Sequence, residues 1–118
     1  MKGNFNTEYG RVVVNDKVIV KVAGYTVLDC FGIVGMAALS KRDGIVKLLT
    51  RDSLSKGIKV EIENNQVYLD FHVIVSFGVA IAAVADNLIS SVRYAVENAT
   101  GFNVAKINIF VDGVRKID

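Results

Sequence analysis

The stretch Gly78 to Gly101, GVAIAAVADNLISSVRYAVENATG, constrains this chain more than any other. Ile81, Val84, Ala85, Leu88, Val92, Ala95, Val96 and Ala99 recur at helical spacing and make one side wholly apolar, while Asp86, Ser90, Arg93, Tyr94 and Glu97 take the other. Gly101 supplies the stop, because glycine readily adopts the left-handed conformation that closes a helix. A long helix with so small-sided a stripe needs a flat apolar partner. The strand-like segments on either side of it can supply one.

Two alternating runs precede the helix, from Gly57 to Phe77, and flank Asn64-Asn65. Asparagine tolerates the positive φ of a tight hairpin turn, so these two residues predict the turn and fix the register. Lys59 then faces Asp70, and Glu61 faces Tyr68. That register places Ile58, Val60, Ile62, Leu69, Phe71, Val73 and Val75 on the face that receives the helix. Lys59, Glu61, Tyr68, Asp70, His72 and Ile74 fall on the other. After the helix, Asn103 to Val111 alternates again, with Ala105, Ile107, Ile109 and Val111 against Lys106, Asn108, Phe110 and Asp112.

Upstream, Tyr9 to Val14 is a short β-branched run ending at Asn15-Asp16, a turn and helix-start signal. Lys17 to Cys30 is rich in valine, yet Ile19, Val22, Ala23, Thr26 and Cys30 are helically spaced, and its length favours a helix. Gly32 to Leu39 reads as a second strand. The polar segment Ser40 to Lys56 is expected to hold one or two helical turns anchored by Ile45, Leu48 and Leu49, with Lys41, Arg42, Arg51 and Lys56 in water, and to be mobile. The order is β-α-β-short α-β-β-α-β. It predicts an α+β fold, a small mixed sheet with one long and one shorter helix on one face.

Composition narrows the function classes. At 118 residues, the chain is expected to be one domain, residues 1–118, able to bury a core without disulfides or metal. A net charge of +2, spread over scattered basic residues, argues against a nucleic-acid partner. The single cysteine, Cys30, has no internal disulfide partner and is expected to act as a small core residue in a reducing compartment. No apolar run reaches the length of a membrane span, and the N-terminus has no signal-peptide core, so a cytoplasmic location is expected.

No catalytic set is legible. His72 is the one histidine, and its neighbours along the strand, Asp70 and Ser76, stand about 7 Å and about 13 Å away by strand rise. A triad through Ser76 is out of reach. A carboxylate, serine or metal ligand within about 3 Å of His72 would favour an enzyme. One histidine and one cysteine on different elements give no metal-ligand spacing, and neither Gly78 nor the Gly32/Gly35 pair makes a phosphate loop. No cofactor is expected.

The candidate functional feature is instead the outer sheet face. There Tyr68, His72, Ile74 and Phe110 stand beside Lys59, Asp70, Lys106 and Asn108, a mixed aromatic and charged surface suited to a partner. An alternative is a small-ligand or acyl-chain binder, with room left by Ala82, Ala83, Ala85 and Ala95 between helix and sheet.

The run KGIKVEIENNQVYLDFHVIVSFGVAI, Lys56 to Ile81, followed by the helix and by ATGFNVAKINIFVDGV, Ala99 to Val114, resembles the alkaline-shock (envelope stress response) protein family. Val18-Ile19, Val22-Ala23-Gly24 and Gly32 to Met36 resemble its N-terminal helix and the segment after it. Phe31 stands where that family often has proline, and Ala82, Ala83, Ile89, Ser90 and Ser91 make the helix start more apolar than is usual there. The resemblance implies a non-enzymatic cytoplasmic protein of mainly Gram-positive bacteria. It also implies action in envelope stress or lipid homeostasis, by self-association or by docking a protein partner. Some such proteins lie near the membrane through a separate anchor protein.

Overall fold

In chain order the elements are β1 (Lys2–Thr7), β2 (Gly10–Asn15), α1 (Asp16–Leu28), β3 (Ile33–Leu39), β4 (Val46–Leu48), a 3-10 helix (Arg51–Gly57), β5 (Ile58–Glu63), β6 (Gln66–Ser76), α2 (Ile81–Thr100) and β7 (Asn103–Arg115). The computed structural model describes residues 2–39, 46–49 and 51–116. The architecture is α+β, as the pattern of segments predicts.

Strand β6 organises the sheet. Its first half pairs antiparallel with β5, through Ile58↔Phe71 to Glu63↔Gln66, and its second half pairs antiparallel with β3. Its opposite edge pairs in parallel with β7 from Gln66↔Asn103 to Ser76↔Arg115. The hairpin register is the expected one, Lys59 opposite Asp70 and Glu61 opposite Tyr68. Asn64 and Asn65 carry its turn at φ 51° and 60°.

The inner face of β6, with Val67, Leu69, Phe71, Val73 and Val75, is buried and joins one core with both helices. Helix α2 meets that core along a single row four residues apart: Val84, Leu88, Val92, Val96 and Thr100. This row is narrower than the predicted stripe. Ile81 and Ala99, at the two ends of the helix, are exposed. The helix ends at Gly101, φ 79°, whose N–H donates to the Glu97 carbonyl at 2.8 Å. The Glu97 carboxylate then accepts from Val104 N–H at 2.8 Å, which ties the end of α2 to the start of β7. Helix α1 spans nearly the expected residues and begins at Asn15, whose side chain caps Lys17 N–H at 3.0 Å.

Three expectations need correction. The run from Tyr9 to Val14 is one arm of a hairpin, β2, paired with β1, which the sequence pattern did not reveal. Leu48 lies in a short strand, β4, and the helical segment that follows is of 3-10 type. The turn expected around Ile45, with Lys41 and Arg42 in water, and much of the segment expected to be mobile, lie outside the described residues. In β7, Val104 is buried and Ala105 exposed, the reverse of strict alternation, because β7 carries an extra residue between Val104 and Lys106.

Leu88 is fully buried and Tyr94, on the opposite side of α2, is 73% exposed. Leu88→Ala is expected to lower unfolding free energy in urea by about 2–5 kcal/mol, and Tyr94→Ala by under about 0.5 kcal/mol.

Candidate functional site

The outer sheet face is assembled by β5, β6 and β7. Parallel register sets Tyr68 beside Lys106, Asp70 beside Asn108 and His72 beside Phe110, so alternate residues of two strands form paired rows. The His72 and Phe110 rings stack with centroids 4.8 Å apart and planes 14° from parallel. Asn108 Nδ2 donates to Asp70 Oδ1 at 2.8 Å. Lys59 Nζ lies 3.4 Å from Glu61 Oε1. Lys59, Glu61, Tyr68, Asp70 and Asn108 line an open depression of about 150 Å³ next to the stacked rings.

One partner of His72 escaped the sequence reading. Between Val111, paired with Val73, and Gly113, paired with Ile74, β7 holds the unmatched residue Asp112. Alternation already sets Asp112 on the outer side of β7, and at the bulge its Oδ2 meets His72 Nδ1 at 2.8 Å. The legible signal is Asp112-Gly113 within an alternating run, since a glycine inside a strand often marks a bulge. Asp70, the neighbour along the strand, is instead held by Asn108. The side chains of His72 and Asp112 are 42% and 22% exposed, so this pair contributes only about 0–1 kcal/mol to stability. Its larger effect is to fix the ring, which the stack on Phe110 also holds.

Tyr68 and Phe110, 38% and 44% exposed, stand on this face as expected. Ile74 does not belong to the exposed set: it is only 1% exposed. It pairs with Gly35, over which Leu48 leans from β4, so the far half of the outer face is covered from that side.

Asp112 at 2.8 Å meets the condition stated above as favouring an enzyme, a carboxylate within about 3 Å of His72. Asp112 is the ring's hydrogen-bonding partner among the described residues, and no serine, threonine or cysteine there bonds to it. Ser76 pairs with Arg115 farther along the strands. Among the described residues no three His, Cys, Asp or Glu side chains are grouped closely enough to hold a metal. The seam between α2 and the sheet is filled by Leu88, Val92 and Val96, all fully buried, while Ala82 and Ala83 are exposed and cannot line a pocket there.

Cys30 sits just past the end of α1, buried, with its Sγ donating to the Thr26 carbonyl at 3.2 Å. Burial pushes its thiol pKa up, and the nearby Asp29 carboxylate adds to this, against a lowering by a hydrogen bond with Ser91. The folded chain therefore keeps the proton at alkaline pH where the unfolded chain loses it. The stability linked to this group is complete below the ordinary thiol range and falls as pH rises through the raised value. Urea melts should show a shallower alkaline loss of stability for Cys30→Ala than for wild type, and the folded thiol should react with a disulfide reagent at least about tenfold slower than free cysteine.

Two helices on one side of a five-stranded sheet, with an ordered ring and carboxylate on the open side, define a small α+β protein whose outer sheet surface is its distinctive feature. Comparison with known proteins places it further. The chain belongs to the alkaline-shock protein family, described as having a cell envelope-related function, whose profile matches residues 4–116. The uncharacterized protein YloU of Bacillus subtilis is 39% identical over 98% of this chain and 97% of its own length. The uncharacterized protein Spy1614 of Streptococcus pyogenes is 29% identical over 99% of this chain and 98% of its own. A Streptococcus pyogenes protein named stress response regulator gls24 homolog is 24% identical over 90% of this chain and 59% of its own length. No solved structure matches this chain. Among the described residues no helix is long and apolar enough to cross a membrane.

Proposed function

We propose that this chain is a non-catalytic interaction protein of the cell-envelope stress response, working in the cytoplasm by docking a protein partner on the outer sheet face around Tyr68, His72 and Phe110. The observation that supports this reading is the ordering of His72 between the Phe110 ring and the Asp112 carboxylate while part of its surface stays in solvent. A side chain already fixed in one rotamer loses little further entropy when a partner covers it. Partly exposed aromatics inside a charged rim are the usual anchors of such contacts. The rim holds Lys59 and Lys106 against Glu61, Asp70 and Asp112, a balance suited to a protein surface and unsuited to a nucleic-acid backbone.

The family's envelope-related description supports the setting, and the stress-response name belongs to relatives 24% identical to this chain. Proximity to the membrane then comes through a separate anchor protein. The enzyme reading lacks a nucleophile at His72 among the described residues.

The test is affinity capture from the native host with wild type and with the double variant His72→Glu plus Phe110→Glu. Capture of the specific partner should fall at least about tenfold with an unchanged circular dichroism spectrum. A folded double variant that captures the same partners equally well overturns the assignment of this face.

A further inference from the structure

The hairpin β1–β2 stands apart from the body. The chain measures 53 × 32 × 20 Å, and its radius of gyration, 15.1 Å, exceeds the roughly 13.5 Å expected of a compact chain this long. Its root is held: Gly3 packs so close to the Phe102 ring that a side chain there would collide with it, and Phe5 meets that ring edge-on at 6.1 Å. Beyond the root, Val12 and Val13 remain 38% and 45% exposed, and Tyr9 at the tip is 92% exposed. A two-stranded ribbon in water is marginally stable without a third strand or a covered face.

The ribbon's two edges differ. On β1, Asn4 N–H donates to Asn65 Oδ1 at 3.2 Å, and Asn65 Nδ2 donates to the Asn4 carbonyl at 2.7 Å, so a side chain closes that edge as a strand would. These bonds also show which backbone groups face away from the ladder. Asn4 pairs with Val13, and in an antiparallel ladder both members of such a pair point their N–H and C=O outward. Val13, and by alternation Arg11, therefore present donors and acceptors along the open edge of β2. Among the described residues β2 pairs with β1 alone.

Edges meant to stay single are usually blunted by bulges, charges or proline. Strand β7, the outer strand beyond β6, is blunted in this way, with two bulges and the charges of Lys106, Asp112 and Arg115. Strand β2 is not. Its six pairs to β1 run without a shift, and its centre is Val12-Val13-Val14.

We propose that β2 is a dimer seam, pairing antiparallel with β2 of a second copy of this chain to make a continuous four-stranded sheet. The proposal rests on the reading that the protein works by association, and it names a second copy as one occupant, on a surface separate from the outer face. Centred on Val13, the pairing sets Val13 opposite its own copy and Arg11 opposite Asn15, so no like charges meet. A two-fold axis perpendicular to the sheet keeps Val12 and Phe5 of both copies on one side, adding apolar contact along the seam. Such an interface is self-complementary and closes at two copies.

Val13→Pro tests it, because proline there removes an outward N–H and no bond of the ribbon, and Val12 before it is already extended. Light scattering through the micromolar range should give twice the chain mass for wild type and the single mass for Val13→Pro, with matching circular dichroism. Val13→Lys keeps the N–H but sets like charges together across the axis and should weaken association at least about tenfold. In wild type the Val13 amide should exchange with solvent at least about tenfold more slowly as the dimer fills. A wild-type monomer throughout, or dimers of both folded variants, overturns the proposal. Capture of the outer-face partner should survive Val13→Pro, and dimerisation should survive the His72→Glu plus Phe110→Glu change, so the two readings fail separately.

Discussion

Everything in this fold depends on burying one side of β6. The strand is eleven residues long, enough for β3 and β5 to share one of its edges end to end while β7 runs along the whole of the other. Its five inner side chains meet the row of α2 residues spaced by four, and α1 completes the cover. A sheet buried on one side must show its other side to something else, so the outer face follows from the core and is not a separate invention.

The parallel pairing of β6 with β7 follows from the same cause. Parallel neighbours need a crossover, and α2 is that crossover, held at its far end by the Gly101 stop and the bond from Val104 to Glu97. The crossover returns the chain beside its own starting strand. Side chains a full helix apart in sequence, His72 and Phe110 among them, are thereby stacked in register.

Much of this was legible because it is periodic. The α2 repeat, the Asn64-Asn65 turn and the register of Lys59 with Asp70 are local, and periodicity reports local geometry well. What stayed hidden is non-local or irregular. Strand β1, KGNFNT, has no alternating apolar signal, since its pairing partner β2 and its contacts with Phe102 and Asn65 supply what its own residues do not. The site was read in part: Tyr68, His72, Phe110 and Asp112 share a face, but the burial of Ile74 depends on β4, and the contact of Asp112 with His72 joins strands forty residues apart in sequence.

Asn65 carries two loads with one residue. Its backbone, at positive φ, turns β5 into β6, and its amide grips Asn4 from both sides. Glycine at that position would keep the bend and lose the grip, loosening the N-terminal arm while the sheet stays whole. The joint between arm and sheet is thus written in an amide group, separable by chemistry from the loop that displays it.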